Sequence, residues 1–305
     1  MELYWNGTDI TRYVDINGCV FREAAGGRSD SLEMELDRAD IWYQWGPEEG
    51  DEIEIIRDDW RTGKMYLTAV VPKGESFRVI ASSMNPAGVR KAWGFFRNLA
   101  FQTLMERCAA EIGMEAKIFG VTDPIMIGRA MRKGEGCGAF LDRIGTREGF
   151  KVKAWDGALR AIYLPWAEEQ EARTGLVLND KSLTAKYRRR KNLKYTGARV
   201  VSPWASASAR DTAAEGNNEK VFTGLPAESS MEAGKWARNL LREMNRRAEE
   251  IVIESELNLR MESLARVHVE GGTDMDGEWI VEEAEHDLKE TRTCVKMYRV
   301  IGTIK

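Results

Sequence analysis

Asp51-Glu-Ile-Glu-Ile55, Gly63-Lys-Met-Tyr-Leu67 and Val70, set beside Val267-His-Val269, Gly277-Glu-Trp-Ile-Val281 and Ala284, decide how the chain reads. At one fixed offset and without a gap, Ile53 and Ile55 fall on Val267 and Val269. Gly63 falls on Gly277, Met65-Tyr66-Leu67 on Trp279-Ile280-Val281, and Val70 on Ala284. Each stretch reads as strand, glycine-bearing turn, strand, with the two-residue alternation of a half-buried sheet. Two readings fit. Alternation and glycine turns are common to all β-meanders, so the echo can be generic. In the sharper reading, one β-barrel unit occurs twice in the chain.

Working outward, residues 1–84 form the first unit, with further strands at Met65–Val71 and Phe77–Ser82 punctuated by Gly63 and Pro72-Lys-Gly74. Residues 85–172 change character. Trp93, Phe96, Ala100, Leu104, Cys108 and Ile112 recur at helical spacing and predict a helix over about 92–112, stopped by Gly113. A shorter helix is expected over 139–147. Asp156-Gly157 between two alternating runs predicts a hairpin over 150–164. Residues 173–305 return to strands and form the second unit. Its helix, about 231–250, carries the stripe Trp236, Leu240, Leu241, Met244 and Ala248 and is expected to cover that unit. Residues 205–218, rich in Ser, Ala, Gly and Asn, read as a loop. The fold class is therefore α+β and β-rich: two barrel units with a small α+β insert between them.

The 305 residues are 43% hydrophobic and 31% charged, a globular composition with a heavily charged surface. A net charge of -4 gives the whole molecule no pull toward nucleic acid or anionic membrane. Four scattered cysteines without a CxxC pair exclude metal-ligand spacing. The opening Met1-Glu-Leu-Tyr-Trp-Asn6 lacks the apolar run of a signal peptide. No stretch approaches the ~20 apolar residues of a membrane span. The expectation is a chain folded in a bacterial cytoplasm, not secreted by a signal peptide and without a membrane anchor. Ten tryptophans suit an oligomer, since large aromatics weight interfaces as well as cores.

Three ordered stretches resemble a known family. They are Phe21-Arg-Glu-x-x-Gly26 with Ser29-Asp30-Ser-Leu-Glu-Met-Glu-Leu36 and Gly50-Asp-Glu-Ile-Glu-Ile55; Gly138-Ala-Phe-Leu-Asp-Arg-Ile-Gly-Thr-Arg-Glu-Gly149 followed by the Asp156-Gly157 hairpin; and Met275-Asp-Gly-Glu-Trp-Ile-Val-Glu-Glu-Ala-Glu-His286 with Thr291–Tyr298. Together they resemble the late control D family of phage proteins, the baseplate hubs of contractile tails. The resemblance implies a structural homotrimer in which each chain contributes two tail-tube-like barrels to a ring of near-sixfold symmetry. That ring joins a sixfold tail tube to a threefold spike, so the implied partners are a tail tube protein, a spike protein and other baseplate proteins. The implied place is the baseplate of a virion or phage-like particle. No catalytic site, cofactor or metal is expected. The alternatives are a tail-associated cell-wall hydrolase and a nucleic-acid-binding adaptor.

One charge run stands out as a partner-binding patch: Lys186, Arg188, Arg189, Arg190 and Lys191, with Lys194 nearby. It reads as a like-charged strand edge that blocks pairing, as a surface for an acidic neighbour in the particle, or as a phosphate-binding stripe with Tyr187 and Tyr195 to stack on bases. No sequence-specific contact with nucleic acid is expected. Other motifs have plainer readings. His268 and His286 lack converging partners. Gly134-x-Gly136-x-Gly138 lacks the preceding buried strand of a dinucleotide fingerprint. Asp274-Met-Asp276-Gly277 runs into a strand where a calcium loop needs further oxygen ligands. Cys137 near a helix start has no histidine close in sequence.

Overall fold

The computed structural model describes residues 1–37, 45–178, 183–190, 194–271, 273–302 and 304. The first block holds β1 (Glu2–Trp5), β2 (Thr8–Asp9), β3 (Ile16–Ala24), β4 (Ser31–Asp37), β5 (Glu52–Arg57), β6 (Trp60–Arg61), β7 (Met65–Lys73) and β8 (Ser76–Ser82). In β4 the alternation of the sequence becomes a half-buried strand: Leu32, Met34 and Leu36 are fully buried, while the residues between them are half-exposed. The middle block holds β9 (Ala92–Ala100), α1 (Phe101–Glu111), β10 (Glu115–Phe119), β11 (Met126–Glu135), α2 (Cys137–Glu148), β12 (Phe150–Trp155), β13 (Ala158–Tyr163) and α3 (Leu164–Glu169). The last block holds β14 (Thr174–Val177), β15 (Thr184–Arg189), β16 (Gly197–Val201), β17 (Ser206–Arg210), β18 (Glu219–Thr223), α4 (Ser230–Asn245), β19 (Glu249–Glu256), β20 (Arg266–Glu270), β21 (Gly277–Asp287) and β22 (Arg292–Arg299). The protein is α+β and β-rich.

Strands of the first and last blocks join in one 14-stranded sheet along the path β15-β19-β22-β21-β3-β4-β8-β7-β5-β1-β2, with β14, β20 and β6 attached at its sides. Among the described residues nothing pairs the two ends of this path, so the sheet is open. Apolar cores line it, among them one around Phe21, Met34 and Phe77, one around Ile251, Trp279 and Met297, and a smaller one around Ile280, Tyr298 and Leu164.

The echo seen in the sequence is a repeat of strand pairing. Ile53 pairs with Met65 and Glu52 with Tyr66. At the offset of the echo, Val267 pairs with Trp279 and Arg266 with Ile280. The ladder from β7 to β8 shifts by one residue between Leu67 and Ala69. The ladder from β21 to β22 shifts at the corresponding place, between Val281 and Glu283. A bulge is a specific local device that bends its strand, so its recurrence at the same step is not generic meander geometry. Gly63 and Gly277 both have positive φ, +68° and +128°, which only glycine adopts readily. The correspondence continues outward: the strand order β3-β4-β8-β7-β5 matches β15-β19-β22-β21-β20. In it, Phe21 opposite Leu32 corresponds to Tyr187 opposite Ile251.

Three expectations need correction. Residues 92–100, read as the start of a helix, form β9, paired antiparallel with β11. Trp93, Phe95 and Phe96 have strong strand preference, and Gly94 disfavours a helix. The helical spacing was carried by Trp93 and Phe96, of which Trp93 is exposed. The stretch 205–218, read as a loop, contains β17, whose small residues lie under α4. The helix expected over 231–250 ends at Asn245 and packs mainly on β16, β17 and α2, thereby covering the small sheet β17-β16-β18 and not the large one.

The hairpin predicted at Asp156-Gly157 is present, with both residues at positive φ (+51° and +70°) and Trp155 opposite Ala158. Its first strand ties the middle block to the large sheet. Lys153 reaches Asp30 at 2.9 Å and donates to Ser263 Oγ at 2.6 Å. The backbone N–H of Ser263 in turn donates to Glu23 at 2.8 Å. Burial, with Asp30 beside it, raises the Glu23 carboxyl to about 7, although Lys153 pulls the other way.

Glu23 makes a pH prediction. Below pH 4.5 it is protonated in both the folded and the unfolded chain, and its favourable share of stability is complete. As pH rises toward 7 the unfolded chain ionises first, and that share is lost. Replacing Glu23→Gln keeps an acceptor for Ser263 and removes this loss, by up to about 3 kcal/mol at pH 8. Buried His286, whose pKa burial lowers to about 4, acts in the opposite sense, losing stability as pH falls through 6.5. The difference between variant and wild type in urea unfolding, followed from pH 5 to 8, isolates Glu23. A flat difference would refute the assignment.

Candidate functional site

The basic run lies on and just beyond β15, the end strand of the large sheet, which pairs with β19 on one side. Alternation splits it. Tyr187 turns toward the second core, with its ring edge-on to Trp279 at 6.3 Å. Lys186, Arg188 and Arg190 line the other face, where they meet Arg247 and Lys296 around a cleft of about 400 Å³. Among the described residues Glu250 is the one acid lining that cleft, at 3.1 Å from Lys296 and 3.4 Å from Arg190. Arg189 pairs with Glu249 at 3.1 Å, and Lys194 with Asp211 at 3.5 Å, beside the small sheet. Lys191 lies outside the described residues. The structure therefore gathers Lys186, Arg188 and Arg190 and sends Arg189 and Lys194 elsewhere. Among the described residues only Lys186 and Arg188 of the run have no acidic partner within ion-pair distance.

The other motifs resolve into packing. His286 sits fully buried, its Nδ1 3.0 Å from Thr293 Oγ1 and its ring edge-on to Trp60. His268 pairs with Glu278 at 2.7 Å on the exposed face of β20, whose Val267 and Val269 are fully buried. A Cβ on Gly136 would stand 2.7 Å from the carbonyl oxygen of Gly88, and one on Gly138 2.8 Å from Met84, so protein fills the space a phosphate would need. Arg299 donates to the carbonyls of Asp274 and Asp276, placing a cation where calcium would sit. The Cys137 thiol donates to the Cys108 carbonyl at 3.2 Å, and its bond with Cys108 and its burial push its pKa well up. Among the described residues no cluster of three or more His, Cys, Asp or Glu is placed to hold a metal.

Sequence reasoning missed the Glu23–Asp30–Lys153 cluster and the cleft beside it. That cleft, about 280 Å³, is walled by Trp155, Arg160 and Trp166, with Arg160 stacked on Trp155 at 3.9 Å. Its residues come from segments remote in sequence, and no local spacing announces it.

Compared with solved structures, the chain superposes along its whole length on tail proteins. The 43 kDa tail protein of prophage MuSo2 from Shewanella oneidensis matches with a TM-score of 0.76 at 12% identity, over 98% of this chain and 97% of that one. A tail protein from Neisseria meningitidis MC58 matches with a TM-score of 0.75 at 11% identity, over 98% and 97%. This chain has the fold of phage tail proteins. The E. coli c3393 protein shares it too, with a TM-score of 0.62 at 10% identity over 98% and 77%. That protein is a component of the type VI secretion system, with structural similarity to the T4 bacteriophage tail proteins gp27 and gp5. No family model and no curated protein matches the sequence. The resemblance read from the three motifs thus holds at the level of fold. No described helix is long and apolar enough to cross a membrane.

Proposed function

We propose that the protein is the structural hub of a contractile-tail baseplate, in a phage or phage-like particle. Three copies form a ring that joins the sixfold tail tube to the threefold spike, and other baseplate proteins surround it. Residues 1–84 and 173–305 act as two tail-tube-like barrel units, with residues 85–172 set between them. The observation that carries this reading is the repeated pairing register, with its bulge at the same step in both copies. A chain that presents one unit twice gives a trimer six similar positions, which is what matching a sixfold tube to a threefold spike requires. The work is mechanical, and the reading assigns no reaction and no cofactor. A nucleic-acid adaptor is less favoured, because Arg189, Arg190 and Lys194 each pair with an acid, which leaves Lys186 and Arg188 as the unpaired cations of the described run.

Light scattering coupled to size exclusion tests the ring. The expected mass is three times that of the 34.5 kDa chain, and negative-stain images should show rings with an open centre. A protein that stays monomeric up to high micromolar concentration, alone and with its spike protein, would end this reading.

A further inference from the structure

The repeat contains a junction that the chain completes once and leaves open once. Residues Glu283–Asp287 of β21 pair with Val20–Ala24 of β3, and this join fuses the two units into one sheet. In the repeat, β3 corresponds to β15, and the second half of β21 corresponds to Ala69–Lys73 of β7. Among the described residues β15 has a partner strand on one side only, and Ala69–Lys73 has only β8. The matching positions differ in burial as open and closed junctions should. Phe21, Glu23, Ala284 and His286 are buried, whereas Tyr187 and Val70 are half-exposed and Arg189 and Pro72 are exposed. Val71 stands 46% exposed on this free edge.

We propose that β15 of one copy pairs antiparallel with Ala69–Lys73 of a second copy, in the register of the internal junction. This rests on the ring reading and names the surface that closes the ring. The register places Arg190 opposite Ala69, Arg189 opposite Val70, Arg188 opposite Val71, Tyr187 opposite Pro72 and Lys186 opposite Lys73.

Backbone directions agree with that register. The Arg190 N–H donates inward to Ala248, so alternation turns the amides of Arg189 and Tyr187 outward. Lys73 opposite Ser76 closes the two-residue turn into β8, so Val70 and Pro72 face outward. Arg189 and Val70 can then exchange both backbone bonds, and Tyr187 can donate to the Pro72 carbonyl. Pro72 has no N–H to return, which shortens the ladder by one bond. The internal ion pair of Arg22 with Glu285, at 2.7 Å, has no counterpart, because Arg188 meets Val71. There the alkyl stem of Arg188 covers the exposed valine. Pairing an open edge with a different surface of the next copy is heterologous, and such contacts close into rings.

Disulfide trapping tests the register. Arg188 and Val71 would form a non-hydrogen-bonded pair, with Cα atoms about 4.5 Å apart, within disulfide reach. Both positions are exposed, so Val71→Cys with Arg188→Cys should melt like wild type before oxidation. After oxidation it should give covalent dimers and trimers on non-reducing gels. The yield should be at least tenfold above both the unsubstituted protein and the shifted pair Lys73→Cys with Arg188→Cys. Mixing the two single variants should give dimers only, which separates links between copies from links within one. A trimer by light scattering that shows no such excess overturns this register and leaves the ring reading standing. A monomer at every concentration that also fails to cross-link removes both.

Discussion

Replacing Lys153→Met should cost about 3–5 kcal/mol at pH 8, the range for removing one partner of a buried ion pair. The lysine has two acids to answer for. Its ammonium lies 2.9 Å from Asp30, which is fully buried, and Glu23 lies close enough for the same charge to act on it. Burial pushes both carboxyls upward, and Lys153 is the main influence holding them down. Without it they are left buried and uncompensated, and they regain neutrality by taking up protons. The cost should therefore shrink by pH 5. Asp30→Asn in the same chain should recover part of the loss, because the amide still accepts from the Ala24 N–H and brings no charge. Urea unfolding of the single and double variants at both pH values checks this. A loss below about 1 kcal/mol at pH 8 would show that the triad is well solvated and does not fasten the middle block to the sheet.

What the sequence made legible follows from range. The Asp156-Gly157 turn, the α2 helix with its Gly149 stop, and the alternation of β5 are local, and residue type alone decides them. The echo was legible because both copies kept glycine at the same turn and apolar residues at the same steps. Its meaning was not, because register and bulge are relations between strands. The β9 segment misled because aromatics spaced by three suit a helix face, while the same aromatics favour a strand when another strand lies alongside. Partner choice also decided where α4 went. Its stripe announced a covered face, but Trp236 buries against Ala198, Val200 and Ala209 of the small sheet, part of which reads as a loop in the sequence. The basic run was visible as charge. Its division between two faces of β15 and the flank of the small sheet became visible only when Glu249, Glu250 and Asp211 arrived from elsewhere.

Trp279→Ala should destabilise the protein by about 3–5 kcal/mol and loosen the β15 edge in particular. Trp279 is fully buried at the centre of the second core, its indole N–H donates to the Met275 carbonyl at 2.9 Å, and Arg299 stacks on its ring at 4.5 Å. It is also the surface against which Tyr187 rests. Removing the ring leaves a cavity beneath an end strand that, among the described residues, has a neighbour on one side only, so that strand should lose most. Hydrogen exchange at 184–189 should quicken more than at β21 itself, and trimer formation should weaken with it if β15 is the joining edge. The corresponding residue of the first unit gives the control. Met65 is equally buried, but its strand adjoins β5 and β8, so Met65→Ala should cost about 2–5 kcal/mol without selectively exposing β15. Equal protection of β15 in both variants would mean that the edge is held by its ladder to β19 alone. Tyr187 would then be only a neighbour of the second core, and Trp279 would have no part in presenting the edge.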